Sequence, residues 1–246
     1  MFGEGCGLCR QKAVTDNLIH SLFSQCSVTL NGLTIPQASE HYNYRSYLET
    51  LLTYGSDAAA SHLTNAYWYL NTCDMQPCRD PMAENLTATG NLGFITRWNK
   101  LSASKKIQLF GQLYSDLCNV PLHLVPGDML QIILTKAPTS FYMMNKATDS
   151  KTTFKILDAQ LMVRRIRFNP VMLIAHNSTL SKWVSRFELE TFTFSARSKS
   201  LSIDNAVLGP IPKLLLFTMV KNTDFIGSTQ TRANFNIMIS AIFRCL

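Results

Sequence analysis

Charge is scarce in this chain. Asp, Glu, Lys and Arg make up 16% of its 246 residues, against 46% hydrophobic residues. That balance excludes a disordered segment and a long coiled coil, and leaves ample apolar material for a core. Long apolar runs are missing as well. Stretches such as Leu214-Leu215-Leu216-Phe217 are far too short to cross a bilayer. The first residues, MFGEGCGLCRQKAV, hold no apolar segment of signal-peptide length. The expectation is therefore a soluble protein, intracellular when made, in which the sequons at Asn85 and Asn177 carry little meaning.

Catalytic signatures are also missing. His20, His41, His62, His123 and His176 are dispersed, and none sits in a His-Glu-x-x-His arrangement. There is no Gly-x-Ser-x-Gly elbow, phosphate-cradling glycine loop or dinucleotide fingerprint. Asp158 falls inside an alternating stretch, where it is either a buried, hydrogen-bonded carboxylate or a surface one. The expectation is no enzyme and no cofactor. The seven cysteines stand at positions 6, 9, 26, 73, 78, 118 and 245. Cys6-Gly-Leu-Cys9 and the Cys73, Cys78 pair are a poor match to a tetrahedral zinc site, because the pairs are far apart and the second spacing is irregular. Cys6-Gly-Leu-Cys9 also lacks the preceding strand that a redox motif needs. Free, reduced thiols are expected.

What is present is, first, positive charge: a formal +7 and a pI near 9.1. Such a balance attracts polyanions, but only a cluster makes a site. The densest group is Arg164, Arg165 and Arg167, on a stretch that alternates like a strand. It reads either as a solvated strand face or as a surface for nucleic acid.

Periodicity supplies the rest. In YNYRSYLETLLTYG, Tyr44, Tyr47, Leu48, Leu51 and Leu52 fall on one helical stripe, with Arg45, Ser46, Glu49 and Thr50 opposite. Asn43 suits an N-cap and Gly55 a left-handed end. Just upstream, Val28 and Leu30 alternate with Thr29 before Asn31-Gly32, a pair suited to a two-residue hairpin turn. Residues 67–100, with Pro77, Pro81, Gly90 and Gly93, read as a long loop. KIQLFGQLYSDLCNV reads as one half-buried strand, or two meeting near Gly111. MLQIILTK gives a further strand after the Pro126-Gly127 turn, and NKATDSKTT reads as a linker.

TFKILDAQLMVRRIRF is the longest strand signal, with Leu157, Ala159, Leu161 and Val163 on one face. Asn169-Pro170 then suits an N-cap and first helical position, opening a second short helix. FELETFTFSA, KLLLFTMVK and FNIMISAIFRCL give three more strands. At least seven strands, two accessory helices and no βαβ alternation predict a mostly β protein, an antiparallel sandwich or jelly roll.

Several stretches, taken in order, carry a resemblance. LIHSLFSQCSVTLNG, YNYRSYLETLLTYG, SHLTNAYWY, GQLYSDLCNV, FKILDAQLMVRRIRFNPVMLIAH and IDNAVLGPIPKLLLFTMVKNTDFIGS resemble the major capsid proteins of Polinton (Maverick) elements and related adintoviruses. The resemblance runs over about Asn17 to Phe243. It implies a double jelly roll, two sandwiches in one chain that assemble as trimers and then as a capsid lattice, with a minor capsid (penton) protein as a further partner. By that analogy residues 17–145 are the later part of the first jelly roll, 146–152 a linker, and 153–246 the first part of the second. Residues 1–16 do not resemble the family's earlier strands. The expectation is a virion structural protein, or a truncated or mispredicted genome-integrated copy of one, with sheet edges left uncovered. The alternative is a host-retained β-sandwich that binds nucleic acid or carbohydrate. A zinc enzyme is the third reading.

Overall fold

Two positive backbone φ angles in succession, 51° at Asn31 and 79° at Gly32, reverse the chain within two residues. This is the primed turn geometry that an Asn-Gly pair tolerates and that matches the twist of the strands it joins. The computed structural model describes residues 12–35, 41–70, 92–101, 105–119, 129–145, 154–164, 167, 187–195, 197–198, 200–204, 207, 209–210, 212–227 and 238–244. Its elements, in chain order, are β1 (Lys12–Val14), α1 (Leu18–Ser21), β2 (Phe23–Leu30), β3 (Leu33–Ile35), α2 (Tyr42–Thr53) and α3 (Ser56–Ala60), then a 3-10 turn (His62–Ala66). There follow α4 (Leu92–Leu101), β4 (Leu130–Lys136), α5 (Thr139–Tyr142), β5 (Met143–Asn145), β6 (Leu214–Met219), α6 (Asn222–Ile226) and β7 (Met238–Arg244).

Every strand pairing among the described residues is antiparallel. β2 lies between β3 and β4, β1 pairs with β5, and β6 pairs with β7. The turn sets Leu30 opposite Leu33, and the Asn31 side chain accepts a hydrogen bond from the Met129 amide at 2.8 Å. Asn31 therefore joins both neighbours of β2 at one end. Along β2, Cys26 and Val28 point inward and oppose Leu134 and Ile132 of β4.

The buried side chains form layers around α2. Cys26 and Val28 of β2 meet Tyr42 and Tyr114 on one side. Tyr44 and Tyr47 meet Leu63, Trp68 and Phe141 on another. A further cluster joins Val14, Leu18 and Leu22 to Tyr67 and Tyr142. Each fully buried aliphatic chain of this kind, such as Leu18 or Val28, contributes about 1.5–3 kcal/mol.

Several expectations change here. The stripe of α2 is placed as read, with Tyr44, Tyr47 and Leu48 buried, Leu51 half-buried and Leu52 exposed. Its opposite face is buried too, including Arg45, Ser46 and Thr50, so α2 is central among the described residues and not an accessory to a sheet. Its cap is His41, not Asn43, which lies inside the helix; burying Tyr42 against β2 pulls the start of the helix back past the better capping residue. Gly55 is extended at φ −89° and caps the start of α3, its carbonyl accepting from the Ala59 amide at 3.2 Å. α4 occupies the end of the stretch read as a loop, and Phe94, Arg97, Trp98 and Leu101 give it helical spacing. The mostly β expectation is thus met only in its antiparallel pairing: six α-helices share the described residues with three small sheets.

β4, β6 and β7 stand where strands were expected. Residues 105–115, 154–164 and 187–195 belong to no ladder. Residues 12–14, outside the resemblance, pair with residues 143–145, so they share one sheet with the stretch assigned to the first jelly roll. The second helix, with Asn169 and Pro170, and the linker at 146–152 lie outside the described residues.

A substitution tests the turn. At Gly32 no atom lies within 4 Å of an added Cβ, so Gly32→Ala meets only the backbone cost of its positive φ. We expect a loss of about 1–2 kcal/mol, read as a lower denaturant midpoint with an unchanged slope.

Candidate functional site

Burying the polar face of α2 places charges where water cannot solvate them. Arg45 Nε donates to Glu49 Oε1 at 2.8 Å, one helical turn on, and its Nη2 donates to Asp116 Oδ1. The Arg45 and Asp116 side chains are each 3% exposed. Burial works against the Arg45 charge, but Glu49 and then Asp116 outweigh it and hold the guanidinium above its ordinary value. The guanidinium lies 5.2 Å from the centre of the Phe187 ring, and the Phe187 amide donates to Asp116 Oδ1 at 3.4 Å. Arg45 Nη1 and Asp116 Oδ2 are buried without a hydrogen-bond partner among the described residues.

The same helix settles its hydroxyls internally. Thr50 Oγ1 donates to the Tyr114 hydroxyl at 2.7 Å, and Tyr114 is pushed up to about 12 by burial. His20 Nδ1 lies 2.9 Å from the Tyr42 hydroxyl, and its ring meets Tyr114 edge-on at 5.0 Å. Burial alone pushes His20 down to about 3, so the imidazole is neutral. On α4, Arg97 is fully buried and donates to the carbonyls of Val14 and Tyr69, which fastens that helix to β1. Gly93, one turn earlier, makes the approach possible, since a Cβ there would strike the Tyr69 and Leu70 carbonyls. Asp16 is raised by burial, with Arg97 pulling the other way.

These groups lie in the core and brace it. Among the described residues no group of three or more His, Cys, Asp or Glu side chains is placed to hold a metal ion. Cys26 is a buried free thiol and Cys118 an exposed one, while Cys6, Cys9, Cys73, Cys78 and Cys245 lie outside the described residues. Among those residues, too, no helix is long and apolar enough to cross a membrane.

The candidate surface lies further along the chain. Among the residues whose burial is described, the buried ones apart from Asp224 all precede residue 145. Beyond it, Leu157 (66%), Met162 (76%), Val163 (66%) and Phe192 (51%) stand exposed, with Phe217 and Met219 of β6. Arg164 and Arg167 are exposed beside this apolar run, and Arg165 lies outside the described residues. Asp158 is at the surface, accepting from the Ala159 amide at 2.9 Å. The contacts of this region with the core include Phe187 over Arg45, Phe225 stacked on Tyr44 at 5.3 Å, the Tyr44 hydroxyl donating to the Asp224 carbonyl at 3.3 Å, and the packing of Phe154, Leu189 and Val220 on the core clusters.

Of the sequence-derived residues, Asn31 and Gly32 form the turn, and Tyr44, Tyr47 and Leu48 sit in the core. None of them meets Arg164 or Arg167 in a common site. Sequence reasoning missed Arg45, Asp116, Arg97 and His20 as buried polar groups. An i,i+4 Arg-Glu pair was visible on α2; the Asp116 contact, reached across the fold, leaves no local signal. Comparison with family models, curated proteins and solved structures gives no match for the chain.

Two measurements follow. Asp116→Ala removes one of the two carboxylates that meet the buried guanidinium and should cost about 3 kcal/mol in urea unfolding, whereas Arg45→Met combined with Asp116→Leu should recover most of that loss. Lowering the pH probes His20. Its folded value near 3 lies below the ordinary 6.5, so the unfolded chain binds the extra proton between them. The His20 contribution is complete above about pH 6.5 and declines by about 1.4 kcal/mol per unit as pH falls. The raised Asp16 acts in the opposite sense, its contribution fading as pH rises through its folded value. His20→Phe should therefore flatten the loss of stability between pH 6.5 and 4.5; parallel curves for the two proteins would refute the assignment.

Proposed function

We propose that this chain is a capsid-type structural subunit that works by associating with copies of itself, and that it performs no catalysis. The observation that carries the reading is the exposure, on both parities, of the apolar run from Ile156 to Val163, together with that of Phe192, Phe194 and, on β6, Phe217 and Met219. Contiguous exposed apolar side chains on this scale mark surfaces made to be covered. An obligate subunit interface resembles a protein core divided in two, which is the character of these residues. The resemblance to Polinton major capsid proteins supplies the form of the assembly: a tandem jelly-roll subunit, a trimeric capsomer and a shell in which a penton protein is the second partner. The antiparallel pairing of all described strands is compatible with that architecture.

Sedimentation velocity tests the reading. The full chain should run as a discrete oligomer or aggregate with concentration and bind a hydrophobic dye. A monomer that ignores the dye and melts in one cooperative step would overturn it.

The second reading, a polyanion-binding module, draws on the exposure of Arg164 and Arg167. It requires salt-dependent retention on DNA that is lost when Arg164, Arg165 and Arg167 are changed to Gln. As self-association is the leading reading, we expect those three changes to leave the sedimentation pattern intact.

A further inference from the structure

β4 is paired with β2 along one edge, and its other edge carries no described strand. Leu130 and Ile132 turn toward the Cys26 and Val28 layer, and Leu134, on the same parity, is 39% exposed at the uncovered side. Just past the end of β4, Phe154 packs against the cluster that contains Ala137, and its ring meets Tyr142 edge-on at 6.2 Å. Lys136 Nζ donates to the Phe154 carbonyl at 3.4 Å. The chain that leaves Phe154 therefore starts beside the last residues of β4, and it carries the strongest alternation in the sequence.

We propose that residues 155–161 are a strap that closes antiparallel on the edge of β4 that carries no described strand, extending the three-stranded sheet to four. The register proposed sets Phe154, which packs on the cluster that includes Ala137, opposite Ala137. Running back along β4, Leu157 comes opposite Leu134, Ala159 opposite Ile132 and Leu161 opposite Leu130. The apolar parity of the strap then joins the core face, while Asp158 and Gln160 fall on the outer face with Ile133 and Gln131. A slip of one residue would set Asp158 against Ile132 on the buried side, and it is excluded on that ground. Seven residues meet seven, so the strap spans the whole of β4.

The open arrangement has its own hold. Asp158 accepts from the Ala159 amide and from Gln160 Nε2 at 3.0 Å, local bonds that compete with a ladder. Closing the strap trades these bonds for main-chain pairing and burial of Leu157 and Leu161. It also withdraws an unpaired edge that would otherwise template pairing with another chain. This inference draws on residues that the capsid reading also uses: a closed strap buries Leu157 and Leu161 within the chain and leaves Phe192, Phe194 and the exposed side chains of β6 for contacts between copies.

Hydrogen exchange followed by mass spectrometry on the full chain decides it. Amides of 155–161 should exchange at least about tenfold more slowly than an unstructured chain, to the same extent at low and high protein concentration. Ala159→Pro, at an exposed position that touches none of the core, should abolish that protection and speed exchange in β4, leaving β3 unchanged. Asp158→Thr, which removes the competing carboxylate and favours a strand, should slow exchange in 155–161 further. Unprotected amides at 155–161 in the parent protein would overturn the proposal. So would protection that grows with protein concentration, which would assign the edge to a second copy.

Discussion

The placement of α2 governs the described part of the molecule. A helix packed against a sheet on one side and against helices and a loop on the others leaves mainly its last turn to water, so the polar groups of its buried part need partners inside the protein. Arg45 is the most demanding case on this helix, because the desolvation cost of a buried guanidinium has to be offset by good partners. Glu49 supplies one from the same helix and Asp116 the other from a turn reached across the fold. The turn at 116–119 is held in place by that requirement, and Phe187 is seated by it in turn. A single charge thus orders contacts among three stretches of chain that no local pattern would bring together.

The local parts of this arrangement were legible. Asn31-Gly32 announces its turn because few pairs accept two successive positive φ angles. Tyr44, Tyr47 and Leu48 announce a helix because their spacing fits one stripe and no strand. What could not be read was which side of that helix is buried. Arg45, Ser46 and Thr50 look like a solvent face by composition, and only tertiary partners make them a core face. α4 failed to register for the opposite reason: the prolines and glycines before it gave the whole stretch a loop character, although Phe94, Arg97 and Trp98 have helical spacing. In 105–115 the alternation of Ile107 and Leu109 signals burial on one side, and it does so truthfully, but alternation alone does not supply a neighbouring strand.

That last distinction separates the two ends of the chain. In β2 the inward residue Val28 has neighbours on both flanking strands, Cys26 has one on β4, and both pack with Tyr42 of α2, so pattern and burial agree. From Lys155 to Val163 the pattern is at least as regular, yet both parities remain exposed. A sequence selected only for solubility in that open arrangement would not alternate Leu157, Ala159 and Leu161 with polar residues. Alternation is the mark of a face that is buried in some state of the protein, on its own sheet or on that of another copy.

The two destinations draw on different physics, and this limits how they combine. Pairing within the chain brings the strap to its edge at a high effective concentration set by the short tether, and dilution does not weaken it. Pairing between copies must overcome the loss of translational and rotational freedom, so it requires a larger buried surface than seven residues provide. Phe192, Phe194 and the exposed face of β6 offer that additional surface, whereas the strap alone does not. The strap is therefore suited to the sheet beside it, and the broader apolar region past residue 187 to contacts between subunits. On this division of labour, closing the strap removes one adhesive edge while leaving the larger surface open, which favours ordered association over indiscriminate edge-to-edge growth.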